Sequence, residues 1–155
     1  MTVEAWIKLD DFGAINEWEA FVAKGDGAWR LHRAYGTDKL NFAINNGIGS
    51  LNITGTTNIA DGGWHHIVGV FDNDNDKLMI YVNGSLDGTS AGVTATIDNT
   101  AYKVAIGENL QNTGRYVDGK IDEVRIWNDA RTQAEIQANM YTELTGSESN
   151  LVAYY

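Results

Sequence analysis

GWHHIVGVFDNDNDKLMIYVNG, residues 63–84, is the stretch on which the fold turns. The polar run DNDND at 72–76 separates HHIVGVF (65–71) from KLMIYVN (77–83), two segments in which apolar and polar positions alternate. A period of two over segments of this length is the pattern of a strand with one buried face. Asn83 and Gly84 then supply the pair that a type I′ hairpin needs, because both central residues take positive φ there. The stretch therefore reads as strand, turn, strand, turn. It also carries two adjacent histidines beside Trp64, a combination that could be metal ligands, a general base or plain scaffold. Neighbouring side chains on a strand point to opposite faces, so His65 and His66 cannot meet on one metal without a bulge. Both are expected to be scaffold. Asp72, Asp74 and Asp76 fall at alternate positions as in an EF-hand loop, but Lys77 stands where that loop needs glycine and Asn83 where it needs glutamate. A polar hairpin turn is expected there instead.

Working outward, the same alternation recurs in VEAWIKL (3–9), WRLHRAY (29–35), KLNFAIN (39–45) and SLNIT (50–54), and a last apolar run, LVAYY (151–155), reads as a further strand. Turn clusters such as KGDG (24–27), YGTD (35–38), NNGIG (45–49) and DGG (61–63) punctuate them. His32 falls two positions after Arg30, on the same strand face, and is expected to be a sheet or surface residue. One segment breaks the pattern. In DARTQAEIQANMY (129–141), Ile136 and Met140 lie one helical turn apart, and Thr132 followed by Glu135 matches a capping box. A short helix is predicted, closing one end of a sandwich. Short strands at this spacing predict an all-β, two-sheet antiparallel sandwich or jelly roll.

Composition narrows the function classes. The 155 residues are about one domain, with enough chain to bury a core. Seventeen glycines and no proline fit a protein of many tight turns, and the absence of cysteine rules out disulfides and thiolate metal sites. Acidic residues outnumber basic ones 21 to 11, a net charge of −10 that repels nucleic acid and anionic membrane and suits cations or neutral ligands. No apolar run approaches the roughly 20 residues of a membrane span. The chain opens almost directly on strand-like sequence, and a module cut from a longer protein is expected.

Taken in order, TVEAWIKL, FVAKGDG, GWHHIVGVFD, KLMIYVNGSLDG, VAIGEN, GKIDEVRIWN and ARTQAEIQ resemble a laminin G-like, concanavalin A-like jelly-roll domain of the bacterial LamG and pentraxin-like branch. The resemblance covers nearly the whole chain and implies one domain over 1–155. It implies two facing antiparallel sheets, carriage in secreted or cell-surface proteins, partners that are glycans or extracellular proteins, and calcium at one rim as a cofactor. Two loops resemble the calcium positions of that branch: KGDG, with Asp26, and the segment after VAIG, with Glu108, Asn109, Gln111 and Asn112. Trp6, Trp64 and Trp127 fall on scaffold strands of the family and are expected to be buried. Trp29, Tyr35, Tyr102 and Tyr116 are expected to be exposed. A sugar site near the calcium loops would use Trp29, Tyr35 and Tyr116 as aromatic platforms with the amides of Asn109 and Asn112.

The resemblance also raises laminarinase-type glycoside hydrolases, which share the jelly roll and carry catalytic carboxylates on one strand. In GKIDEVRIW, Lys120 and Arg125 stand where the first and last carboxylates would be, and only Asp122 matches. Glu123 beside it is expected to belong to a structural turn or bulge. The sequence thus predicts a noncatalytic, lectin-like carbohydrate-binding module with calcium assistance. A protein-interaction or adhesion module is the alternative, and a divergent hydrolase comes third.

Overall fold

The computed structural model describes residues 1–10 and 18–155. In chain order the strands are β1 (Thr2–Leu9), β2 (Ala20–Ala23), β3 (Trp29–Arg33), β4 (Lys39–Asn45), β5 (Ser50–Asn58), β6 (Trp64–Asp72), β7 (Lys77–Val82), β8 (Ser85–Ala91), β9 (Ala105–Ile106) and β10 (Gly119–Trp127). Helix α1 (Gln133–Asn139) and strand β11 (Leu151–Tyr154) follow. One sheet has six strands in the order β11-β10-β1-β6-β7-β8, and the other has five in the order β5-β4-β3-β2-β9. Every pairing is antiparallel. The all-β sandwich read from the alternation is the architecture of the chain.

Strand parity builds the core. Val3, Ala5, Ile7 and Leu9 of β1 and Leu78, Ile80 and Val82 of β7 face inward, opposite Leu31 of β3 and Leu40, Phe42 and Ile44 of β4. In the core between β4 and β6, the Phe42 ring lies directly on Gly69 of β6. A Cβ added at Gly69 would overlap that ring. The turn from β7 to β8 is built as expected, with Asn83 at φ 51° and Gly84 at φ 74°. The 72–76 run is likewise a hairpin turn, in which Asp72 accepts from the backbone and side-chain N–H groups of Asn75.

The outward parity of the six-stranded sheet is also covered. Ile136 of α1 packs on Val68, Val70 and Tyr81. The helix therefore lies across this outer face and not at the end of the sandwich, because its one buried side chain needs the apolar outer positions of β6 and β7. Its N-terminus has the predicted capping box between Thr132 and Glu135. Gln133 and Gln137 both donate to the Gly84 carbonyl, at 3.0 and 2.8 Å, pinning the helix to the hairpin. Beside it, the buried Glu4 accepts from the Trp127 indole at 2.8 Å and lies 3.1 Å from His66 Nε2. Burial opposes the charge of Glu4, but the hydrogen bonds and charges of His66, Trp127 and Arg125 outweigh it and hold the carboxyl below its ordinary pKa. Arg125 donates to the carbonyls of Asn139 and Thr142 at 2.9 and 2.7 Å, satisfying one acceptor in the last turn of the helix and one just past its end.

The histidine pair splits as strand geometry requires. His66 is on this outer face against the Trp6 ring, with centroids 5.3 Å apart. His65 bridges Asn83, which donates to its Nδ1, and Asp61, which accepts from its Nε2 at 2.8 Å. Trp64 departs from expectation: it is 43% exposed, being on the outward parity at the very start of β6, while Trp127 is buried under the Arg131 guanidinium.

Replacing Gly69 with alanine should destabilise the protein by about 1–3 kcal/mol, the usual cost of overpacking a full core. Urea unfolding of Gly69→Ala, alone and with Phe42→Leu, checks this. The second substitution should recover part of the loss, and an unaffected midpoint in Gly69→Ala would contradict the close sheet contact.

Candidate functional site

The five-stranded sheet presents its outward parity differently. In register across β3, β4 and β5 run His32, Asn41 and Thr54, and next to them Arg30, Ala43 and Asn52. Asn41 donates to Thr54 Oγ1 at 2.7 Å and to Asn52 Oδ1 at 3.3 Å, so the row is a polar ladder. Among the described residues the single helix lies on the other sheet, and this face holds a pocket of about 450 Å³. At its side Trp18 and Tyr35 stack with centroids 5.2 Å apart and an interplanar angle of 29°. Trp18 rests on the His32 ring at 5.5 Å, and the Arg115 guanidinium lies 5.8 Å from its centroid. Tyr35 is 51% exposed.

His32 is the buried support of this platform. Burial, and then the charge of Arg30, push its pKa down to about 3. The ring is therefore neutral, and because a carbonyl only accepts, Nδ1 is the protonated nitrogen, donating to the Arg33 carbonyl at 2.6 Å.

At the rim, the two loops singled out in the sequence do come together. Asp26 Oδ1 accepts from Asn109 Nδ2 at 2.7 Å and Oδ2 from Asn112 Nδ2 at 2.5 Å. Arg115 reaches both oxygens at 2.9 and 3.1 Å, and Arg30 lies 3.3 Å from Oδ1. Asn109 Oδ1 accepts from the Gln111 N–H, and Gln111 Oε1 from the Gly27 N–H. Glu108 forms none of these bonds and is half-buried. The oxygens expected to ligate calcium thus face N–H groups, with two guanidinium groups on one carboxylate. Calcium needs six to eight oxygen ligands, and the donor set as arranged does not fit it. Among the described residues no three acidic or histidine side chains gather into a metal site.

The aromatic expectations divide. Tyr35 joins the pocket, and Tyr102 and Tyr116 are exposed near the rim. Trp29 is only 6% exposed, because it shares the inward parity of Leu31 and packs in the core. Asn109 is fully buried in the clasp, which removes it as a sugar contact. Sequence reasoning missed Trp18, Asn41, Asn52 and Thr54. For the last three the signal was the polar member of the alternation in KLNFAIN and SLNIT, which marks the outward face of a sheet. In β10, Asp122 and Glu123 form a bulge opposite β1: Glu123 has φ 51°, Asp122 accepts from the Glu123 N–H, and Glu123 is held by Arg125 and Tyr154.

Two facing antiparallel sheets, one covered by a helix and the other bearing a pocket on its outer face, make this a concanavalin A-like sandwich. The sequence matches the profile of the third laminin G family, described as the concanavalin A-like lectin/glucanases superfamily, over residues 1–137, and the chain belongs to that family. A comparison with curated proteins finds no match. Among solved structures, it is similar to a candidate carbohydrate-binding protein from Bacteroides ovatus at 27% identity and a TM-score of 0.84, covering 99% of this chain and 44% of that one. The CBM40 of a Ruminococcus gnavus sialidase, bound to α2,3-sialyllactose, aligns at 15% identity with a TM-score of 0.71, covering 88% of this chain and 80% of that one. A heptameric pentraxin of Limulus polyphemus aligns at 19% identity with a TM-score of 0.64, covering 88% and 67%.

Two outcomes follow. An imidazole whose pKa is lowered from 6.5 to about 3 in the folded state contributes stability that is present above pH 6.5 and is lost as pH falls toward 3. The difference in melting temperature between the wild type and His32→Gln should therefore shrink between pH 7 and pH 4, and a constant difference would mean that the ring is protonated in place. Melting in millimolar calcium should match melting in chelator, whereas a calcium shift above about 5 °C would show a native-state metal site.

Proposed function

We propose that the protein is a noncatalytic carbohydrate-binding module whose glycan lies on the outer face of the five-stranded sheet. The observation that carries this is the Trp18–Tyr35 pair standing beside the Asn41, Asn52 and Thr54 ladder in one open pocket. Sugar rings have apolar C–H faces that pack on flat aromatics, and amides and hydroxyls both donate and accept toward sugar hydroxyls. The carbohydrate-binding descriptions of the Bacteroides and Ruminococcus neighbours support the same reading. A module of this kind works at a cell surface or after secretion, where glycans are met. No helix among the described residues is long and apolar enough to cross a membrane. Binding here needs no calcium, since the rim oxygens are already engaged by Arg30, Arg115 and amide N–H groups.

A protein-binding or adhesion role is favoured by a different observation. Along edge strand β9 and its flanks, Tyr102, Val104, Ile106, Leu110 and Tyr116 are all exposed. The two readings place their contacts on different residues. Screening immobilised glycans and titrating the hits by calorimetry should find a ligand whose affinity falls about 10-fold or more in Trp18→Ala and in Tyr35→Ala, with far-UV spectra unchanged. A hit insensitive to both would move the glycan off this face. No glycan bound, together with a protein partner lost in Ile106→Asp, would replace this reading by the second.

A further inference from the structure

The pocket is longer than its aromatic platform. Trp18 rests on His32, which is in register with Asn41 and Thr54, so the Trp18–Tyr35 pair stands at the Thr54 end of the pocket. From there the lining follows the outward parity of β5 through Asn52 to Ser50, which pairs with Asn45 at the far end of β4. A strand rises about 3.3 Å per residue, so Ser50 lies roughly 13 Å from Thr54, beyond the reach of one sugar ring stacked on the platform. Ser50, Asn52 and Thr54 are all exposed, while Leu51 and Ile53 between them pack on the core. None of the three is charged. The whole of β5, a nine-residue edge strand, holds no charge in a chain of which 21% is charged, although edge strands are commonly guarded by charged side chains. The charges around the pocket are engaged with one another, Arg30 and Arg115 with Asp26, and Arg33 with Glu19 and Asp38. The surface left for a ligand is neutral and elongated.

The hydrogen bonds beneath this row decide what it presents. Asn41 Nδ2 donates to Thr54 Oγ1 at 2.7 Å and to Asn52 Oδ1 at 3.3 Å. With those oxygens engaged from beneath, the Thr54 hydroxyl hydrogen and the Asn52 NH2 group are left as outward donors, and the Ser50 hydroxyl, which donates and accepts, ends the row. Sugar hydroxyls and ring oxygens accept such bonds without carrying charge. Resting on the carbohydrate reading above, we propose that the ligand is a neutral oligosaccharide laid lengthwise along β5, with one ring on Trp18 and Tyr35 and the following sugars on Asn52 and Ser50. The unit recognised is then a stretch of glycan chain, and a single sugar fills only the aromatic end.

The test is calorimetry of the wild-type protein with cello-, xylo-, manno- and laminari-oligosaccharides of one to five residues, and with the same lengths of any other neutral glycan captured on an array. Weak short members are read by competition, and trigalacturonic acid and 3′-sialyllactose serve as charged controls. In at least one neutral series, affinity should rise about 10-fold or more from monosaccharide to trisaccharide and then level off, as two added hydrogen bonds provide. Ser50→Ala combined with Asn52→Ala, both at exposed positions, should remove most of that rise, whereas Trp18→Ala should weaken every length. A monosaccharide binding as tightly as its trisaccharide, a rise that persists in the double variant, or binding confined to the charged controls would overturn the lengthwise neutral chain and leave carbohydrate binding standing. Failure of every glycan, neutral and charged, would remove both.

Discussion

Where the Phe42 ring of one sheet lies on Gly69 of the other, the core has no room for a second side chain, and that constraint shows how the sandwich is filled. A sandwich core is filled by the inward residue of each strand, and where one large ring enters, the facing strand must give up its side chain. Because strand side chains alternate, filling the interior in this way leaves a second complete set of residues facing outward on each sheet. What becomes of those two outward sets distinguishes the faces of this protein. On the six-stranded sheet they are Glu4, His66, Val68, Val70, Arg125 and Trp127, and they are sealed beneath α1 and its flanks. On the five-stranded sheet they are Arg30, His32, Asn41, Asn52 and Thr54, bordered by Trp18 and Tyr35.

Both outward sets hold charges, and the physics of each is different. Glu4 is paired, hydrogen-bonded and shut away, so its carboxylate serves the attachment of the helix region. Arg30 is paired with Asp26 at the edge of the pocket. The Asp26 clasp stands between the two cases: one carboxylate gathers the β2–β3 turn, the loop after β9 and both guanidinium groups, doing with hydrogen bonds and ion pairs what a cation could do with oxygens alone.

Much of the frame was legible in the sequence because it rests on local rules. Asn83-Gly84, the Thr132 and Glu135 box, and the separation of His65 from His66 each follow from the geometry of a turn, a cap or a strand. The bulge at Glu123 was visible as a break in register once two carboxylates fell on adjacent strand positions. The exposure of Trp29 and Trp64 was not legible, since alternation tells which residues share a face and not which face is covered. Trp18 was missed for a related reason: it belongs to no periodic run and acquires its place only by resting on His32, 14 positions later. The rim loops were rightly brought together, but the direction in which their oxygens point depends on Arg30 and Arg115, which approach from separate parts of the chain.

The position of β1 has a further consequence for how the molecule comes into being. It is a central strand, with Thr2 opposite Val70 on one side and Trp127 on the other. A chain emerging N-terminus first makes this strand long before either neighbour, and topologies dominated by such distant pairings fold slowly and leave edges unpaired meanwhile. TVEAWIKL would be a sticky segment during that wait, were it not for Glu4 and Lys8 on its outward parity. Charges at such positions discourage a strand from pairing with copies of itself. The carboxylate that finally accepts the Trp127 indole N–H is, until that residue is synthesised, the gatekeeper of the nascent chain.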